Sequence, residues 1–350
     1  MPASCIDLAA AELRHLGIVA QATDEGVNFS LGCAEIGGLL QRLRLPTRVL
    51  VRAARGRVRG ASDVADLVAD LPWPLLPLNL HRITLHLHAH GLPPNRMAWL
   101  RGELVRQLGA HAATVDTRAS TGDTAELTIS ARSDGDDVQL SLDVGGAPLH
   151  LRGYRLESGA APLSETVAAQ ILALADFDPA RPLWDPMCGS GTLAIEAGVW
   201  QQPLNLRTFA IDNWRVPQRA WPLSAGARGA IVAGDLDADV LAKAQRNAQR
   251  AAVHGRITWQ HAEILDQSPP TDLGLVVVNP PWGQRLGGRN DARRLIARLG
   301  AVLQRRVPGW RAAVILPEKQ LLAKLPLRNA RLVSLQSGGT PISLAIGTVE

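Results

Sequence analysis

No stretch of this chain restricts its fold as tightly as residues 181–198, RPLWDPMCGSGTLAIEAG. Pro182–Trp184 reads as the end of a short apolar strand, closed by Asp185-Pro186. Gly189-Ser190-Gly191 then makes a turn with little steric hindrance, and a helix starts at Thr192. A glycine turn between strand and helix lets backbone N–H groups close on a ligand, and the acid before it is placed to meet an ammonium or a hydroxyl. Leu193-Ala194 follows the glycines, so the turn is neither the G-x-G-x-x-G dinucleotide fingerprint nor a phosphate loop with its lysine. A second motif, Asn279-Pro280-Pro281-Trp282-Gly283, follows the apolar run Leu275–Val278.

Around these motifs the elements alternate. The pattern predicts helices over 164–175 (Ser164 as N-cap), 192–199, 238–252 (closed by Gly255) and 291–305. It predicts strands at 182–184, 229–233, 257–260, 273–278 and 311–316, and a last hairpin from 330–335 to 342–349. Strands alternating with helices imply a parallel sheet covered on both faces. Residues 200–228, with Trp200, Trp214 and Trp221, interrupt the alternation, and the sequence assigns them no role. The first half reads differently: a helix over 4–17, two short strands, a helix at 35–43, a strand at 48–55 and a helix at 63–70. Then come a period-2 strand at 82–90, a helix at 95–108 and a hairpin from 126–132 to 137–143.

A chain of 350 residues, 46% of them apolar, suits two or three domains with real cores. It has no apolar run of membrane-spanning length and opens without a basic, then apolar, leader, so no signal peptide is expected. Cys5, Cys33 and Cys188 are scattered, which argues for reduced thiols in the cytoplasm and against a disulfide framework or a zinc site. His86, His88 and His90 share one face of a strand, but ligands for one metal ion normally come from several elements, so a solvated or RNA-facing edge is expected. Basic residues exceed acidic ones by five, almost all of them arginine. Arg42, Arg44, Arg48, Arg52, Arg55, Arg57 and Arg59 fall in one acid-free stretch, a solvated face or an electrostatic footprint for phosphates.

DPMCGSGT, at residues 185–192, resembles the cofactor turn of the class I S-adenosylmethionine (SAM) methyltransferases. LHLRGYR, ending at Arg155, and the run LRGYRLESGAAPLSETVAAQIL up to Leu172 resemble the junction in THUMP-containing RNA methyltransferases. The likeness covers most of the chain and is strongest to bacterial enzymes that methylate guanine N2 in 23S ribosomal RNA. It implies an α/β, Rossmann-like methyltransferase domain with a seven-stranded sheet over 156–350. It also implies an α+β THUMP-like RNA-binding domain over 45–155 and a truncated ferredoxin-like segment over 1–44. Set against that resemblance, the strand that usually precedes the first helix is expected to be missing, and the central THUMP region to be short.

Ligands of open α/β sheets bind at the carboxyl ends of the strands. The resemblance implies that SAM is held there by Asp185, Pro186, Cys188, Gly189, Ser190 and Gly191. It implies further that Asp235 takes the ribose hydroxyls and that Ser164, Glu165 and Thr166 close over the methionine end. Glu263 stands where the family more often has an aspartate against the adenine, and Asp266 is the other acid in reach. Asp237 reads as a helix cap first and a ligand second. Cys188 has no partnered base in reach and reads as a turn residue, not a nucleophile.

The catalytic residues expected are Asn279, Pro280, Pro281 and Trp282. The prolines restrain their neighbours to extended geometry, so the Asn279 side-chain and Pro280 backbone carbonyls can face one amino group. Trp282 can stack on a base flipped out of its helix. N-P-P-aromatic serves both the guanine N2 and the adenine N6 amine, so an N6-adenine methyltransferase is the alternative activity. A non-catalytic RNA-binding protein is the alternative of another class. The partner expected is ribosomal RNA, or transfer RNA, with no metal and no membrane.

Overall fold

The computed structural model describes residues 3–117, 126–158, 163–204, 206–222, 226–270, 273–281, 289–337 and 339–350. The first half forms α1 (Ala3–His15), β1 (Ala20–Thr23), β2 (Gly26–Phe29), α2 (Ile36–Arg42), β3 (Leu50–Arg57), α3 (Ala61–Ala69) and β4 (Arg82–His90). It continues through α4 (Pro94–Leu108), β5 (Thr114–Asp116), β6 (Leu127–Asp134) and β7 (Asp137–Asp143). β1 and β2 make a separate antiparallel hairpin, while the other strands form a five-stranded sheet in the order β3-β7-β6-β4-β5. Period-2 alternation sends Ile83, Leu85, Ile129, Ala131, Leu140 and Leu142 to one face. There they share a core with Val64 and Leu67 of α3 and Leu100 and Leu104 of α4. β5 was not expected from the sequence. It is three residues long and pairs with Arg82–Thr84, too short for alternation to show.

The second half forms α5 (Glu165–Leu174), β8 (Leu183–Asp185), α6 (Thr192–Gly198), β9 (Ile231–Asp235), α7 (Ala238–Arg250) and β10 (Ile257–His261). β11 (Leu275–Val278), α8 (Arg289–Arg306), β12 (Arg311–Leu316), β13 (Leu327–Ser337) and β14 (Thr340–Val349) complete it. Seven strands make one mixed sheet in the order β10-β9-β8-β11-β12-β14-β13. The first five are parallel, and β14 runs antiparallel between β12 and β13. β11 is Leu-Val-Val-Val, all buried, as a strand covered on both faces must be. Ile171, Ile195 and Leu241 pack on one face of the sheet, and Ile296, Leu299 and Val302 on the other. This is the α/β methyltransferase architecture that the sequence implied. One cap differs: α7 ends through Ala252 in the left-handed conformation (φ 56), ahead of Gly255.

In the unassigned stretch 200–228, residues 206–222 form a strap that packs on the first half. Phe209, Ile211 and Trp214 are buried in the core of the five-stranded sheet. The Arg207 guanidinium donates to the carbonyls of Gly145, Ala147, Pro148 and Leu151. Gln218 Oε1 accepts from the Gly37 N–H at 2.8 Å, and the Arg219 N–H reaches the Ala34 carbonyl at 2.6 Å. Beside the strap lies a buried polar network. Arg152 pairs with Glu196 of α6 (3.3 Å) and donates to the carbonyls of Arg44 and Leu149, and the Tyr154 hydroxyl donates to Glu196 at 2.9 Å. Arg44 itself reaches the carbonyls of Val199 and Gln202. No helix among the described residues is long and apolar enough to cross a membrane.

Candidate active site

Strand order reverses between β8 and β11, because consecutive connections run to opposite sides of the sheet there, and a crevice opens beyond their carboxyl ends. It holds a cavity of about 820 Å³. The glycine turn makes its floor. Gly189 (φ 55) and Gly191 (φ 87) both sit in the left-handed region, and a Cβ on Gly191 would meet Ala244 Cβ at 3.0 Å. The Asp235 carboxylate at the end of β9 accepts from the Gly189 N–H (2.9 Å) and the Asp237 N–H (3.0 Å). Asp237 caps α7 by accepting from Asp239 and Val240, and it also lines the cavity.

Of the cofactor residues read from the sequence, Pro186, Cys188, Gly189, Ser190, Asp235 and Glu263 line the cavity. Asn279, Pro280 and Pro281 line it from the end of β11, so both motifs face one space. Trp282 lies outside the described residues. Asp185, Gly191, Ser164, Glu165 and Thr166 do not reach the lining, and each has a structural reason. Gly191 is the N-cap of α6. Ser164 caps α5, accepting from the Val167 N–H at 3.4 Å. Glu165 is buried in a two-pronged pair with Arg155 at 3.0 and 2.9 Å, and Thr166 is buried beside it. Asp266 is absent from the lining as well, its N–H closing a turn onto the Glu263 carbonyl.

Asp185 lies fully buried beneath the turn. Among the described residues, neither oxygen makes a hydrogen bond of good geometry, and only the backbone N–H groups of Met187 and Ala194 favour its ionised form. Burial, and then the neighbouring Asp235, push its pKa up to about 8. An orphaned buried carboxyl under a cavity also lined by Asp235, Asp237 and Glu263 fits a ligand that brings positive charge. S-adenosylmethionine, with its sulfonium and ammonium, is such a ligand. Cys188 is also buried and its thiol pKa is pushed well above the ordinary value, so it stays neutral beside an electrophile.

Sequence reasoning missed several residues here. Gln267 is fully buried and donates to the carbonyls of Pro186 (2.9 Å) and Ala262 (3.1 Å), while accepting from the Trp184 indole N–H at 3.3 Å. It thereby fastens the loop after β10 to the glycine turn, and it fills the space in which a side chain on Gly234 would stand. Leu236, Val240, Ala262 and Ile264 make an apolar slot, and Arg298 of α8 is the only cation lining the cavity among the described residues. The His261 ring bonds the Leu236 carbonyl at 3.0 Å. Leu236 beside Asp235 is the one position a sequence signal could have offered, as an apolar residue between two acids. Among the described residues no group of His, Cys, Asp or Glu could hold a metal ion.

Comparison with known proteins gives the family. Residues 152–344 match the family described as RMKL-like, methyltransferase domain. A Synechocystis sp. protein named "Putative RNA methyltransferase slr0064" is 33% identical over 96% of this chain and 92% of its own length. The ribosomal RNA large subunit methyltransferase K/L of Allochromatium vinosum is 32% identical over 95% of this chain, which spans about half (48%) of that relative. A crystal structure named as a predicted N6-adenine-specific DNA methylase from Listeria monocytogenes superposes with a TM-score of 0.77 at 25% identity, covering 99% of this chain and 94% of the other. The chain belongs to the RMKL-like methyltransferase family, with S-adenosylmethionine as its methyl donor.

Proposed function

We propose, on that family membership, that this chain methylates RNA at an exocyclic amine, the N2 of a guanine in 23S ribosomal RNA, with transfer RNA as the second candidate substrate. The observation that carries the reading is the meeting of the two motifs: Pro186–Ser190 of the glycine turn and Asn279-Pro280-Pro281 bound a single cavity large enough for a nucleoside. RNA as substrate rests on the names of two relatives covering almost all of this chain. The division into 1–44, a THUMP-like RNA-holding unit over 45–155 and a catalytic unit over 156–350 belongs to the same reading, as does a cytoplasmic location.

The cofactor supplies an electrophilic methyl group when bound. The chain's own residues then solve the nucleophile's problem, since an exocyclic amine has its lone pair delocalised into the ring. The Asn279 side-chain carbonyl and the Pro280 backbone carbonyl accept the two amine hydrogens and aim the lone pair. With the cofactor held against the amine, a nitrogen–methyl bond would replace its sulfur–methyl bond, and the nitrogen would then release a proton to solvent. Because the nitrogen becomes acidic only as the methyl arrives, no strong base is required. Positioning of this kind is worth up to about 7–11 kcal/mol. Trp282 is the residue proposed to stack on the flipped base.

Transfer of tritiated methyl to bulk ribosomal and transfer RNA, followed by nucleoside analysis, tests the reading. N2-methylguanosine is expected, and Asn279→Ala should lower single-turnover transfer by roughly 10²–10³-fold with RNA and cofactor affinities retained. N6-methyladenosine would establish the alternative favoured by the Listeria structure's name. Near-normal transfer by Asn279→Ala would sink the mechanism.

A further inference from the structure

We infer that Arg298 is a positioning residue for the purine end of the cofactor, acting through Glu263. The inference rests on the cofactor reading above. Glu263 lines the cavity together with the apolar side chains of Leu236, Val240, Ala262 and Ile264. An apolar slot with a carboxylate at its rim recognises a flat heteroaromatic ring that carries an amine on its edge. A glutamate is a poor choice for that rim, because its extra rotatable bond must be ordered before the carboxylate can accept anything.

The structure removes that freedom. Arg298 Nη2 pairs with Glu263 Oε2 at 3.1 Å, and the Leu265 N–H donates to the same Oε2 at 3.2 Å. Both partners hold one oxygen, and among the described residues Oε1 is left for a donor in the slot. Arg298 comes from α8, which also sends Leu295 to the cavity and packs Ile296 and Leu299 in one core with Ile264, and its side chain is 56% exposed. Glu263 is 29% exposed, so the pair is accessible enough to be removed without opening the core. Fixing the acceptor before the ligand arrives is preorganisation, and its benefit should appear in binding rather than in turnover.

Calorimetry with S-adenosylhomocysteine and with S-inosylhomocysteine, whose ring carries an oxygen in place of the amine, separates this role from a structural one. The wild type should prefer the amine-bearing ligand by roughly tenfold or more. Arg298→Ala should weaken S-adenosylhomocysteine binding by about five- to tenfold and erase most of the preference. Arg298→Lys, which keeps the charge, should restore part of both. In a Glu263→Asp background the shorter side chain needs less ordering, so Arg298→Ala should cost less there, a coupling that a double-mutant cycle reads directly.

An equal loss for both ligands would overturn the inference and leave Arg298 a structural residue. So would unchanged affinity for both ligands with a raised KM for RNA, which would make Arg298 a phosphate-binding residue. In either case the cofactor reading survives. If the wild type binds neither ligand, the cofactor reading fails and this inference falls with it.

Discussion

Asp185 shows how a single buried side chain ties the site to pH. Its carboxyl is raised from 3.8 to about 8 by burial and by Asp235, so folding takes up a proton between those values. The sign follows: its contribution to stability is present below about pH 4 and is lost as pH rises through about 8. A ligand carrying positive charge favours the ionised form, so its binding near pH 7 should release a fraction of a proton. Affinity for S-adenosylmethionine should therefore rise with pH and level off above about 8. Calorimetry in buffers of different ionisation enthalpy measures the released proton directly, and Asp185→Asn should abolish it. A wild type that releases no proton would remove this account. Asp235 and Asn279, which line the cavity, could be singled out in the sequence because one is the acid ending a strand in AGDLD and the other precedes a double proline after an apolar run. Gln267 and Arg298 could not. A glutamine closing a polar loop and an arginine among others on α8 look like solvated residues until the fold brings Pro186 and Glu263 against them.

Among the elements, the strap over 206–222 was the least readable. Most of α1–α8 and β1–β14 followed from periodicity and caps, within a residue or two. The strap has neither, and its partners lie far away in sequence: Gln218 bonds Gly37, and Arg207 bonds the 145–151 loop. Its tryptophans therefore carried no local pattern. Physically the strap locks the five-stranded sheet to the catalytic half. Trp214 is 6% exposed, and Trp214→Ala should cost roughly 3–5 kcal/mol. Arg207→Ala deprives the carbonyls of Gly145, Ala147, Pro148 and Leu151 of their donor and should cost on the order of 1–3 kcal/mol. Denaturant unfolding checks both values. Limited proteolysis of Arg207→Ala should cut within 206–222 faster than in wild type, with S-adenosylhomocysteine affinity close to normal. Equal protease resistance would mean that the strap only follows the packing of the two halves.

For the whole molecule, the question is which surface brings RNA to the cavity, and the structure divides the arginine block that the sequence presented as one. Arg42 donates to the Gln201 carbonyl, and Arg44 is 2% exposed and spent on carbonyls. Arg48 pairs with the buried Asp143. The rest of the block behaves otherwise. A register shift between Arg52 and Ala54 keeps Arg52, Arg55 and Arg57 on one face of β3, although their spacing is uneven. Across the sheet that face continues through Ser141, Gln139 and Asp137 of β7, Ser130 and Arg132 of β6, and His86 and His88 of β4. Arg55 is paired with Asp137, and Arg132 with Glu25 of the β1–β2 hairpin, which neutralises part of the charge. Arg52, bonded to the neutral Asn28 side chain, together with Arg57 and Arg59, leaves positive charge for phosphates. Replacing Arg52, Arg57 and Arg59 with alanine should lower the slope of log affinity against log salt by roughly 0.7–0.9 unit for each phosphate no longer neutralised. S-adenosylhomocysteine affinity and thermal stability should stay at the wild-type level. Arg44→Ala should do the opposite, lowering stability first and RNA binding only as a consequence. Nitrocellulose-filter or fluorescence titrations of ribosomal RNA across a salt series give the slopes. If the triple variant keeps the wild-type slope, RNA reaches the cavity over another surface, and the row of histidines and arginines on this sheet is a solvated face.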